Sequence, residues 1–143
     1  MDRNELMKIL PHRDNMLLVD EAEVRKGEEG EEAFSIGKYH VRGDEFFLQG
    51  HFPGNPVVPG VILCEMMAQS CCVLLADEVE EGTGTMFSGL KEVKFKKPVK
   101  PGDTFESKCS ITRKMGPFYF ARGQGFVDGK LAATAEFSFV LVK

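Results

Sequence analysis

The chain has 143 residues, of which 43% are hydrophobic and 28% are charged. This length and composition are typical of a globular protein that can bury a core without disulfide bonds, so we expect one domain over residues 1–143. The 18 basic and 22 acidic side chains leave a net charge of −4, which argues against binding to nucleic-acid phosphates or to anionic membrane surfaces.

The sequence of the first part of the chain predicts short strands, followed by an irregular loop rich in aromatic residues. A strand is predicted to start at residues 16–19 and another to span residues 33–41, with a charged, glycine-containing turn at residues 25–32 between them. Residues 43–59 are rich in Gly, Pro and aromatic side chains, and three prolines in residues 53–59 forbid a helix there. An apolar segment that cannot form regular structure is usually either the wall of a binding site or a poorly placed loop.

The sequence pattern in the middle of the chain predicts one long helix, and the pattern after it predicts a meander of antiparallel strands. From Gly60 to about residue 79, apolar side chains cover every helical face, which indicates burial on all sides. Residues 131–142 alternate with period two, and Asp128-Gly129 is a strong signal for a tight hairpin turn. Further turns are predicted at residues 101–103 and 114–117. One buried helix and a meander predict an α+β domain with an antiparallel sheet wrapped around the helix.

The sequence predicts a cytoplasmic protein without a membrane or nucleic-acid partner. The N-terminus does not resemble a secretion signal, and Pro59, Glu65 and Gln69 interrupt the apolar tract over residues 57–76. The four cysteines lack the CxxC spacing of zinc sites and are predicted to be small buried side chains: Cys64, Cys71, Cys72 and Cys109. The cysteines therefore do not indicate a metal site.

Glu65 is the most informative titratable residue, because it lies within an otherwise apolar helix. Burial of an ionised carboxylate is costly, so we expect this side chain to be protonated or hydrogen-bonded, with a pKa raised by burial. Gln69 follows one helical turn later and could hold the carboxyl group by a hydrogen bond. The alternatives are a helix edge that faces solvent and a purely structural hydrogen bond.

His51 and Gly60 supply two further chemical groups near this helix. Histidine titrates near neutral pH, so His51 in the aromatic loop is a candidate base, with a structural role as the alternative. The free N–H groups at the start of the helix could polarise a carbonyl oxygen, and Gly60 allows close approach. A base, an oxyanion site and the acid Glu65 suit β-elimination from a carbonyl compound. His12 and His40 are predicted to be structural, and the sequence indicates no acid partner for His12.

These residues form part of motifs that cover almost the whole chain. The run Gly50-His51-Phe52-Pro53-Gly54-Asn55-Pro56-Val57-Val58-Pro59-Gly60-Val61, followed by Glu65-Met66-Met67-Ala68-Gln69, closely resembles the (3R)-hydroxyacyl-[acyl carrier protein] dehydratases of bacterial fatty acid synthesis. Further motifs of this family occur in the expected order at residues 10–13, 17–20, 93–99, 101–103 and 127–130.

The resemblance implies a hotdog fold, in which the antiparallel sheet wraps around one central helix at about residues 60–79. It also implies homodimers, often assembled into hexamers as trimers of dimers, in which His51 acts with Glu65 of the partner subunit. Substrate and oxyanion contacts are then expected from Gly60, Gln69, Phe52 and Val61. A Glu at position 65 is similar to the broad-specificity branch of the family and unlike the branch that also isomerises decanoyl substrates.

The implied reaction is dehydration of (3R)-hydroxyacyl-[acyl carrier protein] to the trans-2-enoyl thioester, with His51 as base, Glu65 as acid and no cofactor. Two alternatives stay open: a dehydratase with added trans-2/cis-3 isomerase activity, and a non-catalytic hotdog protein that binds acyl thioesters. The chain departs from the family at residues 14–16, where an aromatic-Pro-Phe run is usual. It also has Met86 where some members carry a gating Tyr.

Five lysines occur within ten residues of this acidic chain: Lys91, Lys94, Lys96, Lys97 and Lys100. If Val93 and Phe95 face the core, Lys94 and Lys96 share the solvent face of one strand. Acyl carrier proteins are acidic, so Lys94, Lys96 and Lys97 form a candidate docking surface. The alternative is a charged strand that keeps the sheet soluble and protects its edge.

Overall fold

The structure is a computed structural model that describes residues 1–10, 12–28, 32–76 and 84–142. The helices and strands in these segments are, in chain order, α1 (Arg3–Leu6), β1 (Glu21–Arg25), β2 (Phe34–His40), α2 (Gly60–Cys72), β3 (Gly84–Phe95), β4 (Thr104–Met115), β5 (Phe118–Val127) and β6 (Lys130–Val142). Short 3-10 turns occur at Asp14–Met16, Phe46–Leu48 and Val73–Leu75.

The described strands form one antiparallel sheet in the order β1-β2-β4-β5-β6-β3. Asp128 and Gly129 connect β5 to β6 with φ angles of 52° and 76°, which are the left-handed values that a type I′ turn requires. The period-two prediction for β6 is confirmed, because alternate side chains are buried: Ala133, Ala135, Phe137 and Phe139. Strands β1 and β3 lie at the two edges of the sheet.

Helix α2 packs on the inner face of the sheet, mainly against β2, β4 and β5. Its buried side chains meet the aromatic side chains of the sheet in one core that includes Leu63, Met66, Met67, Cys71, Phe105, Phe137 and Phe139. A second cluster joins the N-terminal segment to the end of the helix and consists of Leu6, Leu10, Leu17, Val19, Ala22, Cys72 and Val73. This second cluster places the segment around residue 12 beside α2.

The helix is shorter and less enclosed than the sequence predicted. The α-helix ends at Cys72, and the chain continues as a 3-10 turn to Leu75. The last carbonyl groups of an α-helix have no donor within the helix, and the N–H groups of the tighter turn can donate to them. Residues 77–79 of the predicted helix lie outside the described residues. Val61, in the first turn, is 72% exposed, so one chain does not bury the helix on all sides.

The strand predicted to start at residues 16–19 is wrong, whereas the strand predicted over residues 33–41 is confirmed as β2. Strand β1 begins only at Glu21. The backbone N–H of Leu18 donates to the side-chain Oε1 of Gln69 at 2.9 Å. This backbone group is therefore used to hold a helix side chain and is not available to a neighbouring strand.

Three further properties concern the described segments only. None of their helices is long and apolar enough to cross a membrane. All four cysteines are free and buried, as the sequence predicted. No group of three or more His, Cys, Asp or Glu side chains in these segments is arranged to hold a metal ion. The absence of a cofactor stays a prediction.

Candidate active site

The aromatic loop before α2 is closed by its own hydrogen bonds. Val57 donates its backbone N–H to the His51 carbonyl oxygen at 2.9 Å, and the His51 ring Nδ1 lies 3.0 Å from the Val57 carbonyl oxygen. Between these residues, Phe52 and Asn55 exchange backbone hydrogen bonds of 3.2 and 3.0 Å. The peptide bond between His51 and Phe52 is cis. The loop therefore holds the His51 ring at a defined place near the start of α2.

The contact with Val57 also determines which ring nitrogen of His51 is available. A carbonyl oxygen can only accept, so the neutral ring carries its proton on Nδ1 and donates it to Val57. The ring of Phe52 stacks on the imidazole with a centroid separation of 4.2 Å. Nε2 of His51 therefore keeps its lone pair, as a general base requires.

The start of α2 offers a donor site for a carbonyl oxygen. The helix begins at Gly60, and the N–H groups of Gly60 and Val61 precede the first hydrogen bonds of the helix, in which Ile62 and Leu63 donate to the Pro59 carbonyl oxygen at 3.0 and 3.2 Å. A Cβ atom at position 60 would lie 2.5 Å from Cζ of Phe95, so a side chain there would meet the ring. This end of the helix borders an open pocket of about 400 Å³, whose lining includes Val57, Gly60, Phe95, Lys96 and Lys97.

The Glu65 carboxyl group is held through one of its oxygens. Nε2 of Gln69 and Nε2 of His12 each lie 3.0 Å from Oε1 of Glu65. The Gln69 amide cannot be reversed, because its Oε1 accepts from Leu18 N–H and its Nε2 also donates to the Met16 carbonyl oxygen, both at 2.9 Å. The predicted hydrogen bond between Gln69 and Glu65 is present, with Gln69 as the donor.

In the single chain the pKa of Glu65 is lower than usual, so the predicted increase is wrong. Burial raises this pKa, but the hydrogen bonds from His12 and Gln69 and the charge of His12 favour the carboxylate and outweigh burial. Sequence reasoning missed His12 and took it as structural, without an acid partner. The available signal was the family motif at residues 10–13, which also contains this histidine.

Glu65 and the start of α2 at Gly60 border two different pockets, which lie on different sides of the helix. The pocket beside Glu65, of about 280 Å³, is lined by His12, Ala68, Gln69, Cys72, Met86, Phe87 and Phe139, so the position of the expected gating Tyr does border it. Gly60 and Glu65 are five residues apart, which places them about 140° apart around the helix axis. His51 is tied to Val57 on the Gly60 side. One chain thus carries the predicted acid and base without bringing them together.

The lysines adopt a different arrangement from the predicted one. Lys94 is exposed on β3, whereas Lys96 and Lys97 follow the strand, and both of their N–H groups point to the Ala132 carbonyl oxygen at 2.7 and 3.2 Å. Val93 packs against the core as predicted, whereas Phe95 is 53% exposed and its ring lies against Gly60 at the start of α2. A register shift in β3 just before Lys94 interrupts the alternation on which the prediction was based.

An antiparallel sheet around one central helix is the hotdog fold, and the predicted fold class is confirmed. A solved structure titled the dehydratase heterocomplex ApeI:P from Xenorhabdus doucetiae matches with a TM-score of 0.76, covering 96% of this chain and 91% of that chain at 19% sequence identity. At this identity the likeness concerns the fold alone.

The sequence comparisons define the family. The FabA-like domain matches residues 10–136. The 3-hydroxyacyl-[acyl-carrier-protein] dehydratase FabZ of Latilactobacillus sakei subsp. sakei (strain 23K) is 42% identical over 142 residues, covering 99% of both chains. The protein of the same name from Clostridium botulinum (strain Hall) is 40% identical over 144 residues, covering 100% of this chain and 97% of its own length. The chain belongs to the FabA-like family, which confirms the resemblance inferred from the motifs.

Proposed function

We propose that this chain dehydrates (3R)-3-hydroxyacyl groups carried on acyl carrier protein to trans-2-enoyl groups in fatty acid biosynthesis. The two similar proteins named above are 3-hydroxyacyl-[acyl-carrier-protein] dehydratases, and the chain covers nearly their full length. One observation supports the proposed mechanism. Each chain has the His51 ring, whose Nε2 is free, on one side of α2, and the Glu65 carboxyl group, which is hydrogen-bonded at Oε1, on another side.

In the proposed reaction, Nε2 of His51 takes the proton from C2 of the substrate. The N–H of Gly60 donates to the thioester oxygen, on which negative charge develops. Glu65 of the partner subunit protonates the 3-hydroxyl group, so the C3–O bond breaks, water leaves and the C2–C3 double bond forms. The proton on His51 then returns to Glu65 through solvent. We assign the exposed apolar side chains of Phe52 and Val61 to substrate contacts.

A second copy of the chain is proposed to complete each site. Strand β3 is an edge strand of 12 residues with exposed Met86, Phe87 and Leu90, and a long apolar edge favours pairing with another strand. Val61 is exposed on α2 one turn before Glu65. Pairing along β3 would cover these side chains and bring the second copy's Glu65 toward His51. We propose a homodimer, and a trimer of dimers as the further assembly that the family resemblance implies.

The carrier protein is proposed to dock beside the Gly60 pocket. Lys96 and Lys97 line this pocket, and Lys94 is exposed on the adjoining strand. An acidic carrier that approaches these lysines would deliver its thioester to the Gly60 N–H. Such attraction acts mainly on the association rate and weakens with salt.

The reaction is tested with purified chain and 3-hydroxyacyl carrier protein, by the absorbance of the enoyl thioester and by product analysis. We expect the trans-2-enoyl product. Additional cis-3 product would favour the isomerase alternative, and binding of the substrate without turnover would favour the non-catalytic alternative.

The shared site is tested by subunit mixing. His51→Ala and Glu65→Gln should each lower kcat by about 10²–10⁴-fold, whereas His40→Ala is the matched control on β2. In a mixed dimer of the two inactive variants, one of the two sites keeps both intact residues, so activity should return. If activity does not return after verified subunit exchange, the two residues do not act across subunits.

A further inference from the structure

His12 is the one histidine whose ring contacts the proposed acid, and it comes from a segment far from α2 in the sequence. Its Nε2 lies 3.0 Å from Oε1 of Glu65, and both side chains are about one-fifth exposed at the edge of the same pocket. Arg13 fixes the backbone here, because its guanidinium donates to the carbonyl oxygens of His12 and Leu10, each at 2.7 Å, and of Met7 at 2.9 Å. The position of the His12 ring is therefore determined by the fold.

The two ring nitrogens of His12 have different surroundings. Nδ1 of the ring is buried and has no hydrogen-bond partner in the described part of the chain. A carboxylate oxygen can only accept, so Nε2 of His12 carries a proton and donates it to Oε1 of Glu65.

This donor determines which oxygen of Glu65 can react. Oε1 already accepts from His12 and Gln69, and within the described residues these are the hydrogen bonds made by the carboxyl group. Because both donors occupy Oε1, the transferable proton of the neutral acid belongs on Oε2. With Gln69 alone, the carboxyl group could rotate about its last bond and present either oxygen to the substrate.

We propose that His12 is a positioning residue for the acid, which holds Oε1 of Glu65 so that Oε2 faces the leaving hydroxyl group. This inference rests on the proposed dehydratase function. The other side chains that line the pocket beside the pair are Ala68, Gln69 and Cys72 on α2, and the apolar side chains of Met86, Phe87 and Phe139 on β3 and β6. None of these apolar side chains can replace the imidazole as a donor.

The test compares His12→Phe, which removes the donor and keeps a ring, with His12→Gln, whose amide can still donate at a similar reach. We expect His12→Phe to lower kcat by about 10–100-fold with little change in KM, by analogy with the loss of a group that orients a metal ligand through a hydrogen bond. His12→Gln should recover much of this loss. His40→Phe is the matched control, since its ring contacts Thr104 on the outside of the sheet.

The pH profile separates positioning from a general structural role. Hydrogen bonds to a carboxylate favour its charged form, so loss of the His12 donor raises the pKa of Glu65. The limb of the kcat/KM profile that reports Glu65 should therefore move to higher pH in His12→Phe and stay near its wild-type position in His12→Gln. A lower kcat without movement of either limb would overturn the proposal, as would full activity of His12→Phe.

A second measurement keeps this test independent of the proposed function. With ¹⁵N-histidine labelling, the three histidines are assigned from the His40 and His51 variants, and the His12 signals are followed in Glu65→Ala. We expect a protonated, hydrogen-bonded Nε2 on His12 in the wild type and a change of its Nε2 signal in the variant, with His40 unaffected. An unchanged His12 signal would overturn the inference, whereas a wild-type chain without dehydratase activity would contradict the proposed function only.

Discussion

Replacement of Gly60 by Ala separates the packing role of this glycine from its proposed role in catalysis. The added Cβ would lie 2.5 Å from Cζ and 2.7 Å from Cε2 of Phe95, so the ring must move. Because Phe95 is half exposed, its ring can turn toward solvent, and Ala gains up to about 1 kcal/mol over Gly within a helix. We therefore expect the free energy of unfolding to change by less than about 1 kcal/mol, or about 4 °C in Tm.

The same substitution should reduce catalysis strongly. The new methyl group stands beside the N–H that is proposed to bind the thioester oxygen, and it keeps that oxygen from the donor. Loss of one such donor typically lowers kcat by about 10²–10³-fold. The assay measures kcat and KM with a short 3-hydroxyacyl thioester, and thermal unfolding is followed on the same samples.

Phe95→Leu and the double variant with Gly60→Ala complete the comparison. If the methyl group itself blocks the N–H, the double variant stays as slow as Gly60→Ala. Recovery to the rate of Phe95→Leu would show that the displaced ring caused the loss. Near-normal turnover of Gly60→Ala would refute the assignment of the Gly60 N–H as the oxyanion donor.

Three further predictions concern stability and docking. Burial raises the pKa of Glu45, but two backbone N–H groups at 2.7 and 3.0 Å and the Tyr39 hydroxyl at 2.8 Å bring it below its usual value of 4.5. This carboxylate therefore stabilises the fold above pH 4.5, and the stabilisation is lost as pH falls through the lower folded pKa. Glu45→Gln should make the free energy of unfolding, measured by urea titration, less dependent on pH over that acid range. The same pH dependence in the variant and the wild type would contradict this. Tyr39→Phe removes one donor and should cost about 1–3 kcal/mol in urea unfolding, whereas no loss would show that solvent replaces the hydroxyl. Lys96→Glu with Lys97→Glu should raise KM for carrier-linked substrate, most at low salt, and spare a short thioester; equal effects on both substrates would place docking elsewhere.

Local sequence patterns were sufficient for the elements that depend on periodicity. The alternation over residues 131–142 and the Asp128-Gly129 turn predicted β6 and its hairpin, because both signals arise within a few neighbouring residues. The apolar run after Gly60 predicted α2 and the spacing of Glu65 and Gln69 on one side of it. The family motifs then predicted the hotdog fold, which the six-stranded sheet of the described residues confirms.

Contacts between distant segments could not be read from these patterns. The hydrogen bond of His12 to Glu65 joins residues 53 positions apart, and it forms because a separate apolar cluster docks the N-terminal segment against α2. The expectation that Phe95 joins Val93 in the core is not met for a related reason, since its side chain is 53% exposed. The pairing of β3 shifts register near Glu92, which has a φ angle of 51°. This shift interrupts the alternation of side chains, and the sequence alone does not reveal it.

The proposed second copy would reconcile the lowered pKa of Glu65 in one chain with its proposed role as an acid. The Glu65 side chain is 20% exposed, and covering its pocket along β3 would remove water from Oε2 while the bonds from His12 and Gln69 stay in place. Burial favours the neutral carboxyl group, so we expect the pKa of Glu65 to rise on dimerisation. An NMR titration of ¹³C-labelled glutamate in the wild-type dimer and in a monomeric Leu90→Glu variant, altered at the exposed edge strand, measures this change. A pKa in the dimer no higher than in the monomer would show that assembly does not prepare the acid.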